Sequence, residues 1–150
     1  MYEKFISKAI SRVKNFIFII IDYGYGEKEF YHPQRTKGTI QFYKNHKKII
    51  DPLVDQGNFD ISMSVDFSRV NRIFSLNNLQ LLSYTTQTEF LLNTNILENS
   101  LKISNEKERS SVLKTLLFPS DMGENFKIMI LCDCIDDTFE IPFKDYRHKL

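Results

Sequence analysis

The sequence predicts an α/β fold, and three features carry that expectation. Phe16-Ile17-Phe18-Ile19-Ile20-Ile21 is uniformly apolar without alternation, the pattern of a strand covered on both faces inside a parallel sheet. Phe126 to Cys132 forms a second strongly apolar strand. Along the whole chain the order reads helix–strand–long loop–helix–strand–helices–strand.

Tyr2, Phe5, Ile6, Ala9, Ile10 and Val13 recur at helical spacing, so a helix is expected over about residues 2–14. No capping residue precedes it. The strand at Phe16–Ile21 ends at a polar, glycine-containing turn, Asp22-Tyr23-Gly24-Tyr25-Gly26. Residues 27–60 read as mostly irregular, punctuated by Pro33, Gly38, Pro52 and Gly57, with a short helix or strand near Ile40–Tyr43. So long a loop is usually functional or covering. Asp66 is placed to cap a helix carrying Phe67, Val70, Ile73 and Phe74 on one face and ending near Asn77-Asn78. Leu79–Thr85 reads as a strand. Thr86 or Thr88 caps the next helix, with Phe90, Leu91, Ile96 and Leu97 inward. A polar helix over Glu106–Leu117 is ended by Pro119. The pattern does not place the tail from Asp136 to Leu150.

Three strands are few for a sheet with so apolar a member. Phe16–Ile21 has the composition of a central strand, and such an edge left open invites pairing. The expectation is that a partner segment supplies the missing neighbour. The alternative is that residues 27–60 supply one.

Composition narrows the function classes. The chain has 150 residues, 42% apolar and 26% charged, with net charge +1. That gives no electrostatic case for nucleic acid or membrane surfaces. The run at Phe16–Ile21 is far shorter than the ~20 residues that span a bilayer. Cys132 and Cys134, two apart on one strand, fall on the same face. Without a disulfide framework the default is a reducing compartment.

Several motifs have bland readings. Gly24-Tyr25-Gly26 follows a strand, but Glu29 stands where a nucleotide fingerprint needs its third glycine. Glu27 and Glu29 would repel phosphate, so it reads as a turn. His32, His46 and His148 lack ligand-spaced partners, so no metal is expected. Ser62, Ser64 and Ser68 read as turn and capping residues. Lys44, His46, Lys47 and Lys48 form a basic cluster, usually a solvated face, with an acidic protein partner as the other reading. Asp22 sits at the carboxyl end of a buried strand, where open α/β sheets place ligands. It could hold an amine or guanidinium, or simply cap the turn with Tyr23.

Five blocks taken together are more specific. They are Phe18–Gly26 with its Asp-Tyr-Gly; Lys37–Tyr43 followed by His46; Asp51-Pro52-Leu53, Gly57 and Asp60–Phe67; Thr86–Leu92; and Met122–Lys127. In this order and spacing, over about residues 15–132, they resemble the MidA/NDUFAF7 family of class I S-adenosylmethionine-dependent methyltransferases. Ser64 stands where that family usually has histidine. The family's glycine-rich cofactor loop and the acidic residue after it lie upstream of the Asp-Tyr-Gly strand.

The resemblance implies the C-terminal part of a seven-stranded Rossmann-like sheet, with the N-terminal half missing. Phe16–Ile21 would be its fifth strand, Leu79–Thr85 the sixth and Phe126–Cys132 the antiparallel seventh. Residues 1–134 would be the C-terminal portion of the methyltransferase domain, and residues 135–150 a tail of uncertain structure extending past the usual family ending. The resemblance also implies S-adenosylmethionine as cofactor, with its main binding residues absent from this chain. Family members are linked to symmetric arginine dimethylation of a respiratory complex I subunit in mitochondria; bacterial relatives are methyltransferases without an assigned substrate. The implied partners are the missing half, as a separate chain or lost, and a protein substrate, with no nucleic acid and no membrane. The implied location is cytoplasmic, or mitochondrial for eukaryotic relatives. Under this reading Asp22 with Tyr23 forms the substrate side, and His46 and Asp66 are further candidates. The competing reading is a non-catalytic interaction module or the remnant of a split gene.

Overall fold

The computed structural model describes residues 2–54, 56–133 and 144–150. Cys134 and residues 135–143 of the tail lie outside the described residues.

Helix α1 (Tyr2–Ile10) is shorter than its periodicity suggests. Strand β1 (Ile17–Tyr25) is longer than expected: the Asp-Tyr-Gly segment continues the strand instead of ending it. The short helix α2 (Glu27–Phe30) follows, capped by Gly26. Residues 27–60 also yield β2 (Ile40–Lys44) and β3 (Lys47–Ile49). Asn45 (φ 50°) and His46 (φ 62°) turn that hairpin. Two consecutive residues at positive φ match the right-handed twist of the flanking strands. With β4 (Asp60–Met63), these strands form a small sheet in the order β3-β2-β4.

The main sheet is mixed, in the order β5-β1-β7-β6, built also from β5 (Val65–Asp66), β6 (Gln80–Thr86) and β7 (Phe126–Cys132). β7 runs antiparallel to both β1 and β6, so β1 and β6 are parallel to each other. Between them, α3 (Phe67–Ser75) forms the crossover. Asp66 caps α3 as expected, accepting from Arg69 N–H at 2.9 Å. Thr86 caps α4 (Gln87–Asn93) in the same way. Asn95, at φ 60°, separates α4 from α5 (Ile96–Ser100). Leu97 is therefore exposed, not inward. The helix α6 (Glu106–Leu117) and strand β7 lie where the sequence places them.

Successive side chains on a strand face opposite sides, and the register sorts the core. Ile20, Met129, Leu131, Leu81 and Tyr84 face α1 and α3. With Phe67, Val70, Ile73 and Phe74 they make the core cluster. The Phe67 and Tyr84 ring centroids are 5.3 Å apart, and Phe67 is fully buried. Phe67→Ala is expected to cost about 3–5 kcal/mol, the usual range for an aromatic cavity, read as a lower urea midpoint.

The opposite face is covered unevenly. Ile128 and Ile130 on β7 are buried beneath the side that carries α4. Their cross-strand neighbours on β1 are not: Ile19 is 50% exposed and Ile21 54%, and Ile17, opposite Cys132, is 56% exposed. The expectation that this strand is covered on both faces is thus corrected for these residues. The hydrogen-bonding edge is uneven too. β7 pairs with Ile17 through Tyr23, whereas on the other side β5 reaches only Gly24 and Tyr25. Among the described residues, no strand pairs with Ile17–Tyr23 on that side.

The end of the tail is packed. Tyr146 N–H donates to the Tyr84 carbonyl at 2.7 Å, and Thr85 Oγ1 donates to the Lys144 carbonyl at 2.7 Å. Tyr146 and Leu150 lie against the core. Residues 144–150 thus cover the outer edge of β6, a common way to blunt an exposed strand.

Candidate active site

Two cavities adjoin at the polar face of the small sheet. The first, about 420 Å³, opens where β1 ends and β7 begins. Tyr23 and Tyr25 come from β1; Asp121, Asn125 and Phe126 come from the start of β7 and the turn before it. Gln41, Tyr43, Ser62 and Ser64 form its opposite wall. These residues converge because of register. Gln41 pairs with Ser62 and Tyr43 with Asp60, so their side chains share one face. The Tyr23 and Phe126 rings meet edge to face at 5.7 Å. Tyr43 hydroxyl donates to Gln41 Oε1 at 2.5 Å. Beside this wall, the Arg35 guanidinium lies 3.9 Å from the Tyr25 ring centroid, a cation–π arrangement. The second cavity, about 510 Å³, shares Tyr43 and Ser62 and adds Asn45, His46 and Asp60.

The four sequence candidates scatter. Tyr23 lines the first cavity and His46 the second. Asp22 pairs across from Lys127, on the sheet face opposite to Tyr23. Its Oδ1 accepts from Tyr23 N–H at 2.8 Å, which is the local capping role weighed for it. Asp66 spends Oδ1 on the α3 cap; its Oδ2 is enclosed and meets no protein donor among the described residues. Neither carboxylate lines either cavity. Gln41, Tyr43, Asp60 and Asn125 lie within the blocks that carry the family resemblance but are not among the site candidates read from the sequence, and Asp121 lies outside those blocks. The alternation of Gln41 and Tyr43 with Ile40 and Phe42 was the available signal.

A third, smaller cavity of about 170 Å³ lies under the tail, between Tyr84, Lys127, Glu29 and Lys149. Burial pushes the Lys127 ammonium pKa down, and nearby Glu124 and Glu29 partly oppose that shift. Burial pushes the Tyr84 phenol pKa up, with Glu29 adding to it.

The glycine segment after the apolar strand is not a cradle for an adenosyl cofactor. The glycines after the apolar strand are occupied by the chain's own backbone. A Cβ on Gly24 would stand 2.9 Å from Val65 N and closer still to Val65 O. A Cβ on Gly26 would collide with the Lys149 carbonyl. α2, which follows, has four residues and carries Glu27 and Glu29 in its first turn.

A mixed sheet with an antiparallel strand inserted between two parallel ones, and with a polar cavity at the strand ends, defines a methyltransferase-like fold. The comparisons agree. The family model described as "Putative S-adenosyl-L-methionine-dependent methyltransferase" matches residues 1–85, more than half of the chain. The chain belongs to that family. A COG1565 superfamily member from Burkholderia thailandensis, bound to S-adenosyl-homocysteine, is 28% identical with a TM-score of 0.88. The match covers 99% of this chain and 40% of that one. An uncharacterized superfamily protein from the same organism is 29% identical, also with a TM-score of 0.88, over 99% of this chain and 41% of that one. The chain thus spans about two fifths of the length of these relatives. Among the described residues, no helix is long and apolar enough to cross a membrane.

Proposed function

We propose that this chain is the acceptor-binding part of an S-adenosylmethionine-dependent methyltransferase of the protein-arginine type, of the kind that serves respiratory complex I assembly. A further segment, covalently continuous or separate, pairs with the open edge of β1 and holds the methyl donor. The observation that carries this reading is β1 itself: an apolar strand hydrogen-bonded on one side along Ile17–Tyr23, with Ile17, Ile19 and Ile21 half exposed.

When bound, the donor supplies an activated methyl group. This chain's share is positioning, which governs an in-line displacement. The first cavity would hold the acceptor side chain: the Tyr23 ring faces a cation and the Asp121 carboxylate balances its charge. No step is assigned to Asp22 or Asp66, since neither lines that cavity.

Isothermal titration is the test. S-adenosylmethionine should give no binding heat with the 150-residue chain alone, and should bind once the chain is joined to, or co-purified with, a segment that supplies the rest of its relatives' length. Micromolar binding to the chain alone would overturn the proposal.

A further inference from the structure

The polar face of the small sheet is built as a groove with two side-chain sockets. Gln41 and Ser62 form one cross-strand pair and Tyr43 and Asp60 the next, all on the same face. Tyr43 and Ser62 are walls of both cavities, so the sockets lie side by side along β4. Equivalent side chains on one face of a strand recur at about 7 Å, two residues apart. β4 is the terminal strand of its sheet, and its outer backbone has no strand partner among the described residues.

Charge sorts the ligand. The chain holds 20 lysines and arginines; Arg35 lies over the Tyr25 wall of the first socket, whereas no lysine or arginine lines the second, where Asp60 stands. No ion pair among the described residues involves Asp60. The opposing charge in its row is Lys48, on the far side of Tyr43, at two inter-strand spacings or about 10 Å. A carboxylate beside a tyrosine ring and an open strand edge suit a basic side chain on an extended backbone.

We propose that the outer edge of β4 takes an extended polypeptide as an added strand, with alternate side chains entering the two cavities and a cationic one seated at Asp60 and Tyr43. This deepens the methyltransferase reading, on which the peptide's role as methyl acceptor rests; the binding itself does not require it.

A fluorescent peptide of about nine residues, alternating serine and lysine, probes the 150-residue chain by anisotropy without any methyl donor. It should bind, and the serine–glutamate counterpart should not. Asp60→Asn should weaken binding by about tenfold, the loss of one charge-assisted contact. The same peptide N-methylated at every second residue, in both phases, should lose binding in at least one phase, because an added strand needs its amide donors. Amide exchange should slow at Asp60–Met63 on binding. Absence of binding at millimolar peptide, binding indifferent to Asp60→Asn or to N-methylation in both phases, or protection confined elsewhere would each overturn the inference. Peptide binding without methyl transfer by the completed enzyme would sink the methyltransferase reading alone. Methyl transfer with wild-type peptide affinity in Asp60→Asn would sink this inference alone.

Discussion

Ile19→Lys is expected to leave the isolated chain folded and to abolish its association with the cofactor-holding segment. In the chain alone Ile19 is 50% exposed on a strand whose only full-length neighbour among the described residues is β7. A lysine there keeps its ammonium in water, so the cost stays within about 1 kcal/mol, as for most surface changes. The core side of β1, where Ile20 packs and the Phe18 ring meets Phe74 at 5.2 Å, is untouched. Once a segment covers this face, the same ammonium becomes buried and unpaired. That costs about 3–5 kcal/mol, or on the order of a hundredfold to a thousandfold or more in affinity. Urea unfolding of the free variant and co-purification with a tagged segment that supplies the rest of the relatives' length read the two effects separately. Equal capture of wild type and variant would mean that this face is not the docking surface.

Local rules made much of this fold legible. Asp66 and Thr86 announce their helices because a cap is a short-range hydrogen bond. Phe126–Cys132 stands out because both its faces are covered within the described residues. β1 shows the opposite case. Its composition is right for a strand between two neighbours, but composition records what a strand is built to meet and not what this stretch of chain supplies. The Asp-Tyr-Gly segment misled for a related reason. Glycine and aspartate weigh towards a turn, yet Gly24 is needed inside the strand for the close approach of Val65 and Phe67. The small sheet is hidden by its length scale: three strands of three to five residues, with β2 and β4 paired across residues 45–59. The site follows from that pairing. Tyr23 was legible from its position at a strand end, but Tyr43, Asp60 and Asp121 meet it only through long-range register. Asp22 and Tyr23, adjacent in sequence, are sent to opposite faces by the strand's two-residue period.

The close approach at Gly24 sets the second large effect. Gly24→Ala is expected to cost about 3 kcal/mol or more, at the upper end of overpacking changes. The added methyl would stand 2.8 Å from Phe67 Cε2 and 2.9 Å from Val65 N, and closer still to Val65 O. Two of those three atoms are backbone, so no side-chain rotation relieves the clash. Relief requires β5 to move off β1, and β5 ends in Asp66, the cap of α3. The strain therefore passes into the helix that carries Phe67, Val70 and Phe74, the centre of the core. Gly38→Ala is the control. Gly38 has φ +68° and nothing within 4 Å of its would-be Cβ, so only the left-handed backbone penalty of about 1–2 kcal/mol applies. Both variants can be compared by urea midpoint against wild type. If Gly24→Ala costs no more than Gly38→Ala, then β5 is not seated against β1, and the outer edge of the main sheet is open along the whole of β1.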